Sequence, residues 1–574
     1  MNEFLPINLN EGKKYYKNFN QFDVIFITGD PYYDHPLSGT SLLARLCDKK
    51  GYKVGIIAQP ISDIDFQSCG KPKYFFCISS GLLDSMLANF TPMLKQRDNV
   101  LVPTQAVIKY TQKIKNLFPN SITIIGGVES TIRRFTHFDY KENKLRRGIL
   151  NDSKADLLIY GNAERSLLLL LEKFKNLKSL DKIKPFFHLI DGLSYRIKKN
   201  EIPNCVKFLP SYEDCLNDKN NFNKLTLMSY TFPNEAFIEQ SGLGYIMHNK
   251  RSLTLSDDEM DFIYSSNFSR KIHPKSKNYN FNKGMVSRLE TSVIIGRGCF
   301  GSCNFCVIPL VQGKEIAKRS IKNIISEIES LCSKGYFKIA DLTLPTLNMF
   351  GAKCSLYNIE KEIYSSILEK NIKILVKEIN CNQTCAECKN RILTNDLKIL
   401  LLEIEKLKQK YPKLNIELRS AIRHDLILNQ PQLFREIMKY TSRLKIAPEN
   451  LDNNVLKLMN KSNKNLFEKF IKEFNSINKE QKTNKKLVPY FVVAHPGSTI
   501  ESIKLTKKFC DENNLYINLT QIFTPTPGTM STSMYFTEKY PYSNKKIFVP
   551  KSFREKKDQK NILFSQEDMI DDNA

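Results

Sequence analysis

Twice along this chain, short apolar β-branched runs alternate with helix-length amphipathic stretches. That alternation restricts it to α/β architectures built on parallel strands. The first block opens with Asp23-Val-Ile-Phe-Ile-Thr28, which ends at Gly29; Leu42, Leu43, Leu46 and Cys47 then recur at helical spacing, Gly51 fits a helix stop, and Lys53 to Ala58 restarts a strand. This is a βαβ unit. Tyr74 to Ile78, Ile122 to Ile125 and Leu157 to Tyr160 are further strands, and a helix over Ala163 to Phe174 follows the last. The expectation is a Rossmann-like, doubly wound parallel-sheet domain over 1–195. Ligands of such sheets bind at strand carboxyl ends, here Thr28 to Asp34 and Gly126 to Glu129, although tight turns alone account for the same glycines.

Residues 196–284 are polar and poor in periodicity, and read as an irregular connecting segment. The alternation returns over 285–550. Strands are expected at Ser292 to Ile295, Lys338 to Leu344, Asn415 to Ser420, Arg443 to Ala447, Leu487 to Ala494 and Tyr516 to Phe523. Helices are expected at Ile321 to Cys332, Asn395 to Gln409, Gln432 to Tyr440, Asn453 to Asn475 and Ile500 to Asn513, with an insertion near 350–395. Six strands separated by helices define a partial (β/α)6 barrel, whose active face is the carboxyl end of its strands. Residues 551–574 form a charged tail.

With 41% hydrophobic residues in 574, the chain has ample material for buried cores, which excludes a mainly disordered protein. Its net charge of +26 suits RNA, an acidic partner or a charged small substrate. The basic residues are scattered, and a solvated lysine-rich surface explains them equally. No apolar run approaches the roughly 20 residues of a membrane span, and MNEFLPINLNEGKK lacks a signal-peptide pattern, so a cytoplasmic protein without membrane contact is expected. In that compartment cysteines stay reduced, and their placement carries the information. Eight of fourteen lie between Cys299 and Cys388.

Directly after the first barrel strand comes Gly296-Arg-Gly-Cys299-Phe-Gly-Ser-Cys303-Asn-Phe-Cys306. Three thiolates at Cys-x3-Cys-x2-Cys grip three corners of a cubane, whereas full [4Fe-4S] ligation takes four cysteines, so one iron stays open. An open position beside a substrate face suggests catalysis, as it does for zinc. A zinc site with a histidine or distant cysteine as fourth ligand is the alternative, but no histidine follows until His424.

Cys299-x3-Cys303-x-Phe305-Cys306 resembles the radical S-adenosylmethionine (SAM) signature. The neighbouring words are narrower: Thr28-Gly-Asp-Pro-Tyr-Tyr-Asp-His-Pro36, Ile125-Gly-Gly-Val-Glu-Ser130, Arg146-Arg-Gly-Ile-Leu-Asn-Asp-Ser-Lys-Ala-Asp156, Tyr160-Gly-Asn-Ala-Glu-Arg165, Lys445-Ile-Ala-Pro-Glu449, Val488-Pro-Tyr-Phe-Val-Val-Ala-His-Pro-Gly497 and Phe523-Thr-Pro-Thr-Pro527. Together they resemble the YgiQ family of radical SAM proteins, a group of uncharacterised function, from about residue 20 to about 560. The resemblance implies a [4Fe-4S] cluster that, once reduced, cleaves S-adenosylmethionine to methionine and a 5′-deoxyadenosyl radical, which abstracts hydrogen from a substrate. It implies Cys299, Cys303 and Cys306 as cluster ligands, Phe305 beside the adenine, and a one-electron reductant such as a flavodoxin or ferredoxin. The methionine end of the cofactor is expected near Asp341-Leu-Thr-Leu-Pro-Thr346, and Ser420, Arg423 and Glu449 at strand ends where ribose and carboxylate contacts fall. Members usually carry two glycines before that Pro-Thr; here Thr343-Leu344 stand instead, whose side chains restrict the backbone.

Cys381-Asn-Gln-Thr-Cys385-Ala-Glu-Cys388 repeats the spacing, with Cys354 upstream. Four cysteines close a second cluster or a tetrahedral zinc site, or remain reduced thiols. The N-terminal alternation is similar to cobalamin-binding domains, but their Asp-x-His-x-x-Gly signature is absent, Asp34-His-Pro-Leu-Ser-Gly39 standing in its place. No Walker loop or Gly-x-Gly-x-x-Gly is present. Two rivals to a radical SAM enzyme of unidentified substrate remain: radical modification of RNA or a ribosomal protein, and a zinc-stabilised nucleic-acid-binding protein.

Overall fold

The structure, a computed structural model, describes residues 3–98, 100–276, 289–377, 381, 385–517 and 519–564. The acidic last eight residues, residues 277–288 and Asn382 to Thr384 of the second cysteine motif lie outside these. The chain divides into two compact units: residues 1–290, 310–312 and 358–381, and residues 291–309, 313–357 and 382–574.

The first unit is built on a nine-stranded sheet. Its spatial order is Val54–Ala58, Val24–Thr28, Phe75–Ser79, Ile122–Ile125, Leu157–Ile159, Leu193–Ile197, Gly244–His248, Phe237–Ser241 and Lys207–Phe208. The first five are parallel, in the doubly wound order 2-1-3-4-5. Strands covered on both faces must be apolar throughout, and Val24–Thr28 is buried at all five positions. The helix Gly39–Lys49 that crosses between the first two strands starts at Ser38, whose side chain accepts from the Ser41 amide. Gly51 closes it at φ 82°, where a side chain would strain the backbone.

Residues 196–276 differ from the expected irregular connection. Phe237–Ser241 and Gly244–His248 form an antiparallel hairpin about Gly242-Leu243, and Gly244–His248 joins the sheet beside Leu193–Ile197. Buried apolar residues on both faces account for this: Phe237 and Ile246 lie on one face and Ile238 and Met247 on the other, while Leu243 at the tip is fully exposed. Residues 357–377, inside the expected insertion, form a second hairpin of Tyr357–Ser365 and Lys370–Lys377.

The second unit carries six parallel strands in chain order. Val293–Ile294 pairs with Leu342–Thr343, Lys338–Ile339 with Asn415–Ile416, and Arg443–Glu449 with Lys486–Val493, which pairs with Leu519–Ile522. A parallel bridge from Ile422 to Ile446 joins the third strand to the fourth. Helices fill the intervals, among them Ile321–Ser333, Asp396–Lys410, Pro431–Lys439 and Ile500–Glu512. This is the expected partial barrel. One helix differs: the run over Asn453 to Asn475 splits into Asn453–Met459 and Lys464–Glu480, because Asn460 turns left-handed at φ 55°.

Candidate metal and cofactor site

The loop after the first barrel strand is pinned from several directions before its cysteines are considered. Gly298 sits at φ 96°, and a Cβ there would lie 2.0 Å from the Glu315 carbonyl oxygen, so only glycine lets the two backbones meet. The Cys299 amide donates to Gly313 O at 3.1 Å, and the Cys306 amide to Cys303 O at 3.0 Å, which folds Cys303 to Cys306 into a tight turn. The broken helix supplies the rest. Asn304 donates from its amide to Met459 O and from Nδ2 to Leu458 O, both at 2.9 Å, while Asn460 Nδ2 donates to Ser302 O at 2.8 Å. The left-handed turn at Asn460 thus exposes helix-end carbonyls for the loop to use.

Within this loop the three thiols are near enough to act on one another electrostatically. Burial pushes the Cys299 and Cys306 thiols above their ordinary range, and their mutual influence pushes the same way. One cation opposes this. Arg423, 8% exposed, directs Nη1 to Cys303 Sγ at 3.7 Å, with Asp425 accepting from Nε at 2.9 Å and from Nη2. Gly301 makes room for it, since a Cβ there would stand 2.8 Å from Nη1 and 3.4 Å from Cys299 Sγ. Among the described residues no three Cys, His, Asp or Glu side chains converge on one point as they stand. A cubane places each cysteine on a different iron and does not require such convergence.

The remaining candidates divide into two groups. Thr346 Oγ1 meets Cys299 Sγ at 3.6 Å, and Glu449 and Arg423 also lie beside the cysteine loop. Glu449 holds φ 68° at a bulge in its strand, with Lys461 Nζ 3.8 Å away and its Oε2 buried without a hydrogen-bond partner. Burial pushes its carboxyl up to about 7, against the pull of Lys461 and Arg423. Asp341 and Ser420, by contrast, are engaged with each other. Asp341 accepts from Ser420 Oγ at 2.6 Å and from the Arg419 and Ser420 amides at 2.8 and 3.1 Å, which ties the second strand to the third. Leu344 is buried, its Cδ1 lying 3.2 Å from where a Gly296 Cβ would stand. Phe305 faces the buried His495 edge-on at 6.1 Å, and His495 Nε2 bonds Ser531 Oγ at 2.6 Å.

Asn304, Asp425, Asn460, His495 and Asn348, which donates from Nδ2 to Arg423 O at 3.1 Å and accepts from the Arg423 amide at 2.9 Å, are contributors that local sequence patterns, Asn460 aside, do not reveal. Asn460-Lys-Ser-Asn463 carried a usable signal, since loop chemistry inside a helical pattern marks a break.

Of the second cysteine set, Cys354 lies on Lys353–Cys354, which pairs with Arg391–Ile392, and Cys385 and Cys388 lie in the turn before it. All three belong to the second unit, whereas Cys381 belongs to the first.

The Radical SAM N-terminal family model matches residues 4–286. Over that stretch the chain matches the N-terminal domain of radical SAM proteins. UPF0313 proteins match over nearly its whole length: that of Methanocaldococcus jannaschii is 34% identical, covering 98% of this chain and 92% of the relative; that of Fusobacterium nucleatum is 35% identical, covering 98% of each; and that of Thermotoga neapolitana is 34% identical, covering 98% and 99%. The chain belongs to the UPF0313 family, which is the YgiQ family of radical SAM proteins. Similar solved structures include the radical S-adenosylmethionine methyltransferase TsrM from Kitasatospora setae with cobalamin and a [4Fe-4S] cluster bound, at 12% identity and TM-score 0.49, covering 89% of this chain and 74% of that one. The cobalamin-dependent S-adenosylmethionine radical enzyme OxsB with aqua-cobalamin and S-adenosylmethionine bound follows at 12% identity and TM-score 0.46, covering 90% and 55%. Among the described residues no helix is long and apolar enough to cross a membrane.

Proposed function

We propose that this protein is a radical SAM enzyme in which Cys299, Cys303 and Cys306 hold a [4Fe-4S] cluster with one iron left for S-adenosylmethionine. The observation that carries this reading is the pinned turn of three half-buried thiols at the carboxyl end of the first barrel strand, with one guanidinium against Cys303 Sγ. Cys-x3-Cys-x2-Cys supplies soft donors for iron. Gly301 leaves the ground beside Cys299 to the Arg423 guanidinium, which brings a positive charge up to the sulfurs. When bound, the cluster supplies the electron that cleaves S-adenosylmethionine to methionine and a 5′-deoxyadenosyl radical.

The chain's own residues bind and orient. Arg423 offsets the charge that three thiolates bring into a buried loop, and Asp425 fixes its planar fork. Thr346 Oγ1, 3.6 Å from Cys299 Sγ, is placed to donate once that sulfur is a thiolate. Glu449 presents a buried, unpartnered carboxylate oxygen suited to an ammonium group such as that of the methionine moiety. Asp341 and Ser420, hydrogen-bonded to each other, tie the second strand to the third at strand ends where ribose and carboxylate contacts fall. Phe305 offers an aromatic face for the adenine beside His495. A flavodoxin or ferredoxin fits as the electron donor.

The test is anaerobic. The reconstituted protein, given dithionite and S-adenosylmethionine, is expected to form 5′-deoxyadenosine and to carry at least about four irons per chain. Bound zinc with no cleavage would overturn the assignment.

A further inference from the structure

The second cysteine set shares local geometry with the first. The Cys388 amide donates to Cys385 O at 3.4 Å, the same turn that the Cys306 amide makes onto Cys303 O, and the Arg391 amide then donates to Cys388 O at 3.0 Å. The antiparallel register of Lys353–Cys354 against Arg391–Ile392 sets Cys354 opposite Arg391. Two loops remote in sequence are thereby joined around sulfur. Cys354 and Cys385 are 7% and 6% exposed, Cys388 is half-buried, and none is in a disulfide.

Arg391 is the second, independent observation. Its side chain is 3% exposed, lies 4.1 Å over the ring of the fully buried Phe300, and reaches Glu315 Oε2 from Nη1 at 3.4 Å. Its Nε and Nη2 are buried with no hydrogen-bond partner, while the sulfurs of Cys385 and Cys354 act on its charge. A guanidinium with two idle donors is costly inside a protein unless an acceptor arrives. Anionic sulfur, as metal-bound thiolate or cluster sulfide, is an acceptor of the right charge, because metal ligation deprotonates a thiol outright. Phe300 is the neighbour of Cys299 in sequence, so this group packs directly behind the first cysteine loop.

We propose that Cys354, Cys385 and Cys388 hold a second thiolate-ligated metal centre, whose sulfur accepts the idle N–H groups of Arg391. Three thiolates suit an iron–sulfur cluster with one iron left open, or zinc once a fourth ligand from outside the three closes the tetrahedron. The inference stands apart from the reading of the first triad.

The full-length protein is purified anaerobically and reconstituted, and iron, sulfide and zinc are counted per chain for the parent, Cys303→Ala, Cys385→Ala and Cys388→Ser. Cys388 is the least buried of the three, so Cys388→Ser guards against a folding failure in Cys385→Ala, and thermal melts identify any misfolded variant. Cys385→Ala and Cys388→Ser are expected to lose one centre that Cys303→Ala retains. Loss of about four irons with sulfide identifies a cluster; loss of about one zinc identifies a tetrahedral site. Both outcomes support the proposal. Parental metal content in a folded Cys388→Ser and a folded Cys385→Ala would overturn it. Should Cys303→Ala also keep the parental content, the reading of the first triad fails by itself.

Discussion

Arg423 holds Cys303 and Asp425 at once: Nη1 reaches Cys303 Sγ at 3.7 Å while Nε donates to Asp425 Oδ1 at 2.9 Å. The Asp425 carboxyl is buried, and Arg423 holds it well below the usual carboxylate range. Removing the guanidinium strands this anion. Arg423→Gln is therefore expected to lower stability by about 3–5 kcal/mol, the cost of breaking a buried pair from one side, and Arg423→Lys by less. Urea unfolding of the metal-free chains at pH 7 measures both. Because the folded carboxyl is depressed, its stabilising contribution is present above the ordinary value of 3.8 and fades as pH falls below it, so the gap between parent and Arg423→Gln should shrink in strong acid. A cost under about 1 kcal/mol would mean that the pair is solvent-screened.

Cys303→Ala is expected to abolish 5′-deoxyadenosine formation, because two thiolates no longer grip the cluster. The first unit should keep its fold, since Cys303 belongs to the second. Product formation is read by chromatography and folding by circular dichroism. Cleavage at the parental rate would show that this triad is not the ligand set.

Gly298→Ala tests the scaffold separately from the ligands. The residue needs φ 96°, and the new Cβ would collide with Glu315 O at 2.0 Å. Left-handed backbone alone costs about 1–2 kcal/mol outside glycine, and the collision forces the loop away from its anchor. Iron content after reconstitution should fall well below parental although all three cysteines remain. Parental iron would mean that the loop tolerates the shift.

Much of this was legible because parallel strands covered on both faces must be apolar throughout. Val24–Thr28 carries that signature, while barrel strands such as Arg443–Glu449 bury alternate residues, and the cysteine spacing fixed where the chemistry lies relative to the first of them. Residues 237–248 were not legible, since Glu239 and Gln240 interrupt the apolar run, although Gly242-Leu243 between two five-residue strands is a hairpin signal. The break at Asn460 had a local signal in Asn460-Lys-Ser-Asn463, but its purpose, holding Ser302 and Asn304, depends on a contact over 150 residues away in sequence. Asp341 and Ser420 were expected beside the cofactor from their strand-end positions. Their mutual hydrogen bond is tertiary information that no local pattern holds.

Asp30 gives a prediction in the first unit. It lies two residues past Val24–Thr28, where its carboxylate accepts from the Leu82 amide at 2.7 Å, and a Cβ on Gly81 would come within 2.4 Å of it. Burial pushes this carboxyl up to about 6, against the pull of the Leu82 amide. A folded-state value above the unfolded one means that the stability is complete below the ordinary 3.8 and is lost as pH rises through about 6. Asp30→Asn keeps an oxygen for the Leu82 amide but carries no charge. The variant should match the parent near pH 4 and exceed it at pH 8, by on the order of 2–3 kcal/mol if the whole displacement is expressed. The difference between the two unfolding curves isolates this group, since every other titration is common to both. Equal stability at pH 8 would mean that Asp30 ionises freely in the folded protein, and the carboxyl end of the first strand would then be open to water.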